Sequence, residues 1–371
     1  MPGSICDILP SAAALLGVPG VTDTLGLSER VGGVQRVAVV LVDGLGYHLL
    51  PQLAKDAPLL SAVLAGSTGH LIELRSTFPS TTPTSLVSLG TGVSPGEHGV
   101  LGFTVNIPGT ERVLTHIYWG DEPSPALWQP VPTWFERLHA AGVSARAVLP
   151  EMFIGSGLTE SAYRGAEFRP VAKGQPYVQR FVEALDSPGL VYGYTAALDH
   201  AAHVSGIGSS HWHAAAAKVD ALLIHLLEEL PGDTVLMVTA DHGGINVPDA
   251  ARLDLDADPA LRAGIRVVAG EPRVRYLHTE PGATADVLAA WTERLAGRAS
   301  VQTREQAVAS GVFGPVRDEH LARIGDIVVT CTGDNAILAT AHEPPQAAQL
   351  VGFHGGLAPA ETAIPLIVFS R

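Results

Sequence analysis

The chain has 371 residues, 46% of them hydrophobic and 16% charged, with a formal net charge of −14 at pH 7. So much apolar material builds a sizeable core and excludes a disordered chain or a coiled coil. The acidic balance argues against binding nucleic acid or an anionic membrane through bulk charge.

The chain opens MPGSICDILP, with no Lys or Arg ahead of the apolar stretch 12–18, so no secretory signal is read there. Cys6 and Cys331 are the only cysteines and cannot make a disulfide framework. A reducing cytoplasm is the simplest expectation. No apolar run approaches the roughly 20 residues of a membrane span.

Residues 36–42 (RVAVVLV) read as a buried parallel strand that closes on Asp43-Gly44. Residues 77–92 (TFPSTTPTSLVSLGTG) place a Pro/Ser/Thr segment ahead of a small-residue helix, with Thr82 as N-cap and Pro83 at the first helical position. Residues 104–132, rich in Pro, Gly and Trp, read as a long ordered excursion suited to lining a cleft. A helical stretch at 133–141 precedes a strand at 143–149. Strand 190–196 (LVYGYTA) runs into Leu198-Asp199-His200. A long helix at 212–230 carries Val219, Leu222, Leu223, Leu226 and Leu227 on one face. Strand 234–239 (TVLMVT) runs into Asp241-His242-Gly243-Gly244.

After residue 244 the texture changes. An acidic stretch at 249–258 is followed by alternating residues at 266–277 and a helix at 283–295. Runs 327–332 and 336–340, split by Gly333-Asp334-Asn335, read as a hairpin. The last strand is 363–369 (AIPLIVF). The whole predicts an α/β fold, a mostly parallel central sheet flanked by helices on both faces, formed by residues 1–244 and 345–371. Residues 245–344 form an inserted α+β cap subdomain.

Ligands of such sheets bind beyond the carboxyl ends of the strands. Three predicted strands end at or just before an aspartate: Asp43, Asp199 and Asp241. In Asp199-His200-Ala201-Ala202-His203 a helical turn points Asp199 and His203 the same way, so they can share one ion. Asp241-His242 offers two adjacent ligands, and His354 lies in Phe353-His354-Gly355-Gly356, where glycines permit close backbone approach. The six make two three-ligand sites with open positions, a donor set suited to Zn²⁺ or Mn²⁺. A hydroxyl at the 77–92 helix start, from Thr82, Thr81 or Thr77, is the natural partner of a phosphoryl centre held there.

Taken together, Asp43, the Thr-Pro helix start, Thr91-Gly92-Val93-Ser94-Pro95-Gly96-Glu97-His98-Gly99, Asp199-x-x-x-His203, Asp241-His242-Gly243 and His354-Gly355-Gly356 resemble the alkaline phosphatase superfamily. More narrowly they are similar to the type I phosphodiesterase/nucleotide pyrophosphatase branch and its phosphonoacetate hydrolase relatives. The resemblance covers residues 37–99, 190–244 and 352–369. It implies two zinc ions, one on Asp199, His203 and His354 and one on Asp43, Asp241 and His242. The nucleophilic threonine of relatives lies ten residues before the glycine of the TG pair, which implies Thr82 rather than Thr77. It also implies an asparagine holding a phosphate oxygen, for which Asn106 is the nearest candidate. Residues 82–86 lack the C/S-x-P-x-R pattern of sulfatases, and the ligand spacing differs from that of cofactor-independent phosphoglycerate mutases. The implied activity is hydrolysis of phosphodiester or pyrophosphate bonds in a small-molecule phosphate ester or nucleotide, through a phospho-threonine. A phosphomonoesterase, a phosphonoacetate-hydrolase-like enzyme and an inactive metal-binding scaffold are the alternatives. A monoesterase needs an added cation, which Arg75, Lys173 or Arg273 would have to supply.

Overall fold

The computed structural model describes residues 3–370. Its principal strands are β1 (Arg36–Val42), β2 (His70–Arg75), β3 (Ala145–Pro150), β4 (Glu167–Val171), β5 (Gly189–Thr195), β6 (Thr234–Thr239), β7 (Ile265–Glu271), β8 (Val274–Thr279), β9 (Ala299–Thr303), β10 (Ile327–Cys331) and β11 (Ala363–Ser370). Seven of them form the central sheet in the order β2-β11-β6-β1-β5-β3-β4. Every pairing is parallel except those of β11, which runs antiparallel to both β2 and β6. From Val37 to Val42 each β1 side chain is buried, as a central strand covered on both faces requires.

The register of this sheet builds the site. Strands β5, β1 and β6 are neighbours, with Val42 level with Thr195 and Leu41 level with Thr239. Adjacent strands lie about 4.8 Å apart. The chain leaving these three carboxyl ends therefore delivers Asp43, Asp199 and Asp241 to one rim. The antiparallel sense of β11 adds the fourth element. A strand running the other way begins where its neighbours end, so the turn ahead of it, which carries His354, falls on the same rim.

Two helices frame that rim. Helix α1 (Thr82–Thr91) starts beside it, and α2 (Ala197–Ser205) leaves β5 carrying Asp199 and His203 on one face. Helix α3 (Ser210–Glu229) buries Trp212, Val219, Leu223 and Leu226 against the core. A main-chain bridge between Ser80 and Gly355 ties the start of α1 to the His354 turn.

Between β6 and β11 the chain builds a second, four-stranded antiparallel sheet in the order β7-β8-β10-β9. Helix α4 (Thr284–Arg294) packs on it through Val287 and Trp291, in a cluster with Leu255, Leu261, Leu277, Ile327 and Val329. The opposite side of this sheet joins the main core through Ala269, Val274, Tyr276 and Val328. The expected hairpin of residues 327–332 and 336–340 does not form. Both edges of β10 are taken by β8 and β9, so the short strand Ala336–Leu338 pairs in parallel with Arg252–Asp254 instead. Among the described residues no helix is long and apolar enough to cross a membrane.

Candidate metal centre and nucleophile

Three imidazoles are oriented by their backbones. His203 Nδ1 lies 2.8 Å from Gly352 O, His242 Nδ1 lies 2.8 Å from Gly243 O, and His354 Nδ1 lies 3.0 Å from Ser80 O. A carbonyl only accepts, so each Nδ1 carries the hydrogen and each Nε2 presents a lone pair. Those lone pairs face other acceptors. His203 Nε2 is 3.2 Å from His354 Nε2 and 3.2 Å from Asp199 Oδ2. His242 Nε2 is 3.4 Å from both Asp43 Oδ1 and Asp241 Oδ2, and these two buried oxygens have no hydrogen-bond partner. Acceptors crowded this closely, two of their buried oxygens without any donor, are what a cation completes, and backbone-fixed histidine tautomers are the usual support of metal ligands.

The ligand atoms fall into two overlapping groups, Asp199–His203–His354 and Asp43–Asp199–His242. Asp199 belongs to both. Asp241 stands at the edge of the second, its Oδ1 accepting the Gly44 amide at 3.2 Å and the His242 amide at 3.1 Å. The His242 and His354 rings stack with centroids 3.6 Å apart. The donor set therefore fits divalent ions of the nitrogen-and-oxygen-binding kind.

The electrostatics agree. Burial, with Asp241 and Asp199 nearby, holds Asp43 well above the usual carboxylate range. Burial and Asp241 do the same to Asp199, and burial lifts Asp241 to about 6. Burial lowers the pKa of His203, His242 and His354, which keeps the imidazoles neutral and able to donate lone pairs.

Of the three candidate hydroxyls, Thr82 is the one that meets this cluster, with Oγ1 3.2 Å from His242 Nε2. Thr77 is committed elsewhere, donating to Pro79 O at 2.8 Å and lying 2.9 Å from Ser85 Oγ. Thr81 Oγ1 is buried and lies beside Glu271. The helix begins one residue earlier than the sequence suggested. Thr81, with extended φ −136° and ψ 148°, is the N-cap and Thr82 the first helical residue. Pro83 still sits in the first turn, where its missing N–H costs nothing. Thr82 is half-buried at the positive end of a ten-residue helix, a place that favours an anion.

Asn106 does not join the cluster. Its side-chain amide donates to Thr110 O at 2.9 Å and Arg112 O at 3.0 Å, closing the turn between two short strands, so it is not available to a phosphate oxygen. Arg273 is likewise unavailable as a substrate cation, because it is fully buried in an ion pair with Glu361. Two contributors carry no motif. Tyr194 donates its hydroxyl to Asp43 Oδ2, and Glu271 approaches from the second sheet. Tyr194 sits five residues before Asp199 on β5, so strand alternation was the one available signal for it.

A cavity of about 710 Å³ opens on His203 and His354. One wall is Phe103 together with Thr104, Val113 and Tyr118 from the Pro/Gly/Trp-rich excursion, as the composition of that excursion suggested. The other is Arg266, Val268, Glu271 and Arg275 of the second sheet.

The family model for type I phosphodiesterase/nucleotide pyrophosphatase matches residues 37–357. No curated protein matches the chain. Among solved structures, murine ectonucleotide pyrophosphatase/phosphodiesterase 5 superposes with a TM-score of 0.72 at 19% identity, covering 91% of this chain and 88% of that one. An inactive variant of that murine protein, in complex with AMP, gives the same TM-score and identity over 90% and 87%. Phosphonoacetate hydrolase from Sinorhizobium meliloti 1021, in complex with phosphonoformate, superposes with a TM-score of 0.66 at 18% identity, covering 91% and 92%.

Proposed function

Since the chain belongs to the type I phosphodiesterase/nucleotide pyrophosphatase family of metal-dependent phosphoryl hydrolases, we propose that it cleaves phosphodiester or pyrophosphate bonds through a phospho-threonine on Thr82. The observation that carries this is the Thr82 hydroxyl, set at a helix N-terminus 3.2 Å from His242 Nε2 and beside a cluster of bare acceptors.

Asp199, His203 and His354 would hold one divalent ion and Asp43, Asp241 and His242 the other, with Zn²⁺ the better match to the donors and Mn²⁺ the alternative. When bound, such ions lower the pKa of a nearby hydroxyl and neutralise phosphoryl charge. Thr82 Oγ1 attacks phosphorus in line, and the bond to the leaving group breaks. Water then cleaves the phospho-threonine and restores the hydroxyl. The amides of the first turn of α1 face the phosphoryl oxygens and stabilise the charge they carry. Residues 245–344 act as a cap whose second sheet closes the cavity around the leaving group.

The cavity favours a diester or pyrophosphate over a bare monoester. Its volume and apolar walls suit a leaving group as large as a nucleoside. The buried Arg273 is consumed by Glu361 rather than left for a second phosphoryl charge. The two unpaired cysteines, one of them buried, suit a reducing cytoplasm.

Hydrolysis of bis-p-nitrophenyl phosphate and p-nitrophenyl phosphate, with and without EDTA, tests the reading. Faster turnover of the diester, abolished by EDTA and restored by Zn²⁺ or Mn²⁺, is the outcome it requires. A preference for the monoester would transfer the assignment to a phosphomonoesterase. Absence of chelator-sensitive activity on either would leave a metal-binding scaffold.

A further inference from the structure

Ser80 stands two residues ahead of Thr82, which keeps the two within about 7 Å along the chain. It is fully buried, and each of its polar groups is spent on the turn that carries His354. Its amide donates to Gly355 O at 3.1 Å, and its carbonyl accepts from His354 Nδ1 at 3.0 Å. Its hydroxyl donates to Gly356 O at 2.8 Å and accepts from the Gly355 amide at 3.2 Å.

That turn has to be held from outside. Gly355 has φ +120°, and a Cβ there would stand 2.7 Å from Glu271 Cδ. A Cβ on Gly356 would stand 2.7 Å from Glu361 Oε2. Both positions therefore require glycine, and two glycines in a row bring no side chain to fix their own backbone while losing the most conformational freedom when ordered. Glu361 takes the Gly356 amide at 2.9 Å. Ser80 takes both glycine carbonyls and the Gly355 amide. The imidazole whose Nδ1 it holds presents its Nε2 to the ligand cluster, 3.2 Å from His203 Nε2.

We propose that Ser80 is a positioning residue acting through His354: its hydroxyl clamps the 354–356 turn to the segment that carries Thr82, and so fixes the ligand cluster relative to the attacking hydroxyl. This rests on the reading that His354 is a metal ligand and Thr82 the nucleophile. Thr82 meets His242, in the other group of ligands. The clamp therefore couples an ion held through His354 to a hydroxyl that does not touch that histidine's group. Such coupling is reciprocal, so loosening it weakens the ion and misplaces the hydroxyl together.

The test is Zn²⁺ binding to the full chain by competition with a chromophoric chelator, which reads the two affinities separately. Ser80→Ala should weaken one ion about ten- to hundredfold, the usual loss when a ligand's support is removed, and leave the other within about threefold. On a diester its kcat should fall at least about tenfold with KM within about threefold, because the cavity walls are untouched. A merely structural serine would lower the melting temperature without splitting the two affinities. Two affinities that are unchanged, or lowered by one common factor, overturn the assignment. A measurement on the wild type stands even if the alanine variant fails to fold. Loading with Zn²⁺ should slow hydrogen exchange at the Ser80 and Gly355 amides by more than it slows the amides of β1, and equal slowing overturns the assignment. A wild type that binds no Zn²⁺ would defeat the metal-site reading and this one with it; a wild type that binds two ions, matched by Ser80→Ala, would defeat this one alone.

Discussion

Thr82 Oγ1 and His242 Nε2 stand 3.2 Å apart although 160 residues separate them in the chain. The contact joins the start of α1 to the turn after β6, and it singles out one hydroxyl among three. Thr82→Ala should lower kcat/KM on a diester by at least about a thousandfold, because the attacking atom is gone. Thr82→Ser, which keeps an oxygen on Cβ, should retain measurable turnover. Thr77→Ala should leave kcat within severalfold of wild type at some cost in stability. Comparable losses for Thr77→Ala and Thr82→Ala would remove Thr82 from its role.

Much of this candidate centre was legible in the sequence because most of its residues hang on a local signal. Asp43, Asp199 and Asp241 follow β-branched runs, and a parallel sheet sends all such ends to one side. His354 was legible only as a glycine-flanked histidine. What brings it to the rim is the antiparallel direction of β11, which no local pattern encodes. The misplaced hairpin has the same origin, since pairing of β10 depends on which edges β8 and β9 have already filled. Asn106 was a choice by proximity in sequence, and its own turn claims its amide. Glu271 was invisible. It is an ordinary acid on the second sheet until folding buries it beside Thr81.

The pH dependence of stability should report on the metal ions. In the metal-free protein burial and mutual repulsion hold Asp43 and Asp199 well above the usual carboxylate range, and burial holds Asp241 at about 6. A carboxyl whose pKa is raised by folding binds its proton more tightly in the native chain. Its contribution is full below the unfolded value near about 4 and is lost as pH rises through the folded value. The lowered pKa values of His203, His242 and His354 work in the opposite direction up to the unfolded histidine value of about 6.5, so chelated protein should lose thermal stability as pH rises above about 7, where only the raised carboxyls still titrate. Bound cations replace those protons, so the loaded protein should not follow. Melting temperatures with and without EDTA should diverge as pH rises; a gap that stays constant over that range would contradict the two-ion site.

Tyr194 gives a way to weaken the centre without touching a ligand. Its hydroxyl donates to Asp43 Oδ2, which leaves Oδ1 facing His242. The ring is itself fixed, edge-on to Phe153 with centroids 6.0 Å apart. Tyr194→Phe keeps the packing and removes only the donor. Loss of such a supporting contact costs about ten- to hundredfold in metal affinity. Competition with a chromophoric chelator should show that loss, with the melting temperature of the metal-free protein little changed. Unaltered affinity would mean that the β1 backbone alone orients Asp43.

Arg273 and Glu361 lock the second sheet to the His354 turn. The guanidinium donates from Nε at 2.9 Å and from Nη2 at 2.8 Å to the two Glu361 oxygens, and both side chains are fully buried. Glu361 also accepts the Gly356 amide at 2.9 Å, so the pair reaches the glycines that flank His354. Removing one partner of a buried pair strands a charge, which costs about 3–5 kcal/mol. Arg273→Met should sit near the lower figure, because the Gly356 amide still serves the carboxylate. The damage should not stop at stability: a displaced Glu361 releases the 354–356 turn, so metal bound through His354 should weaken as well. Arg273→Met combined with Glu361→Gln removes both charges and should recover stability while leaving the turn held by one neutral amide. Urea denaturation of the single and double variants, with metal content measured on each, separates the two effects. If the double variant were no more stable than Arg273→Met alone, the stranded charge would not be the source of the loss.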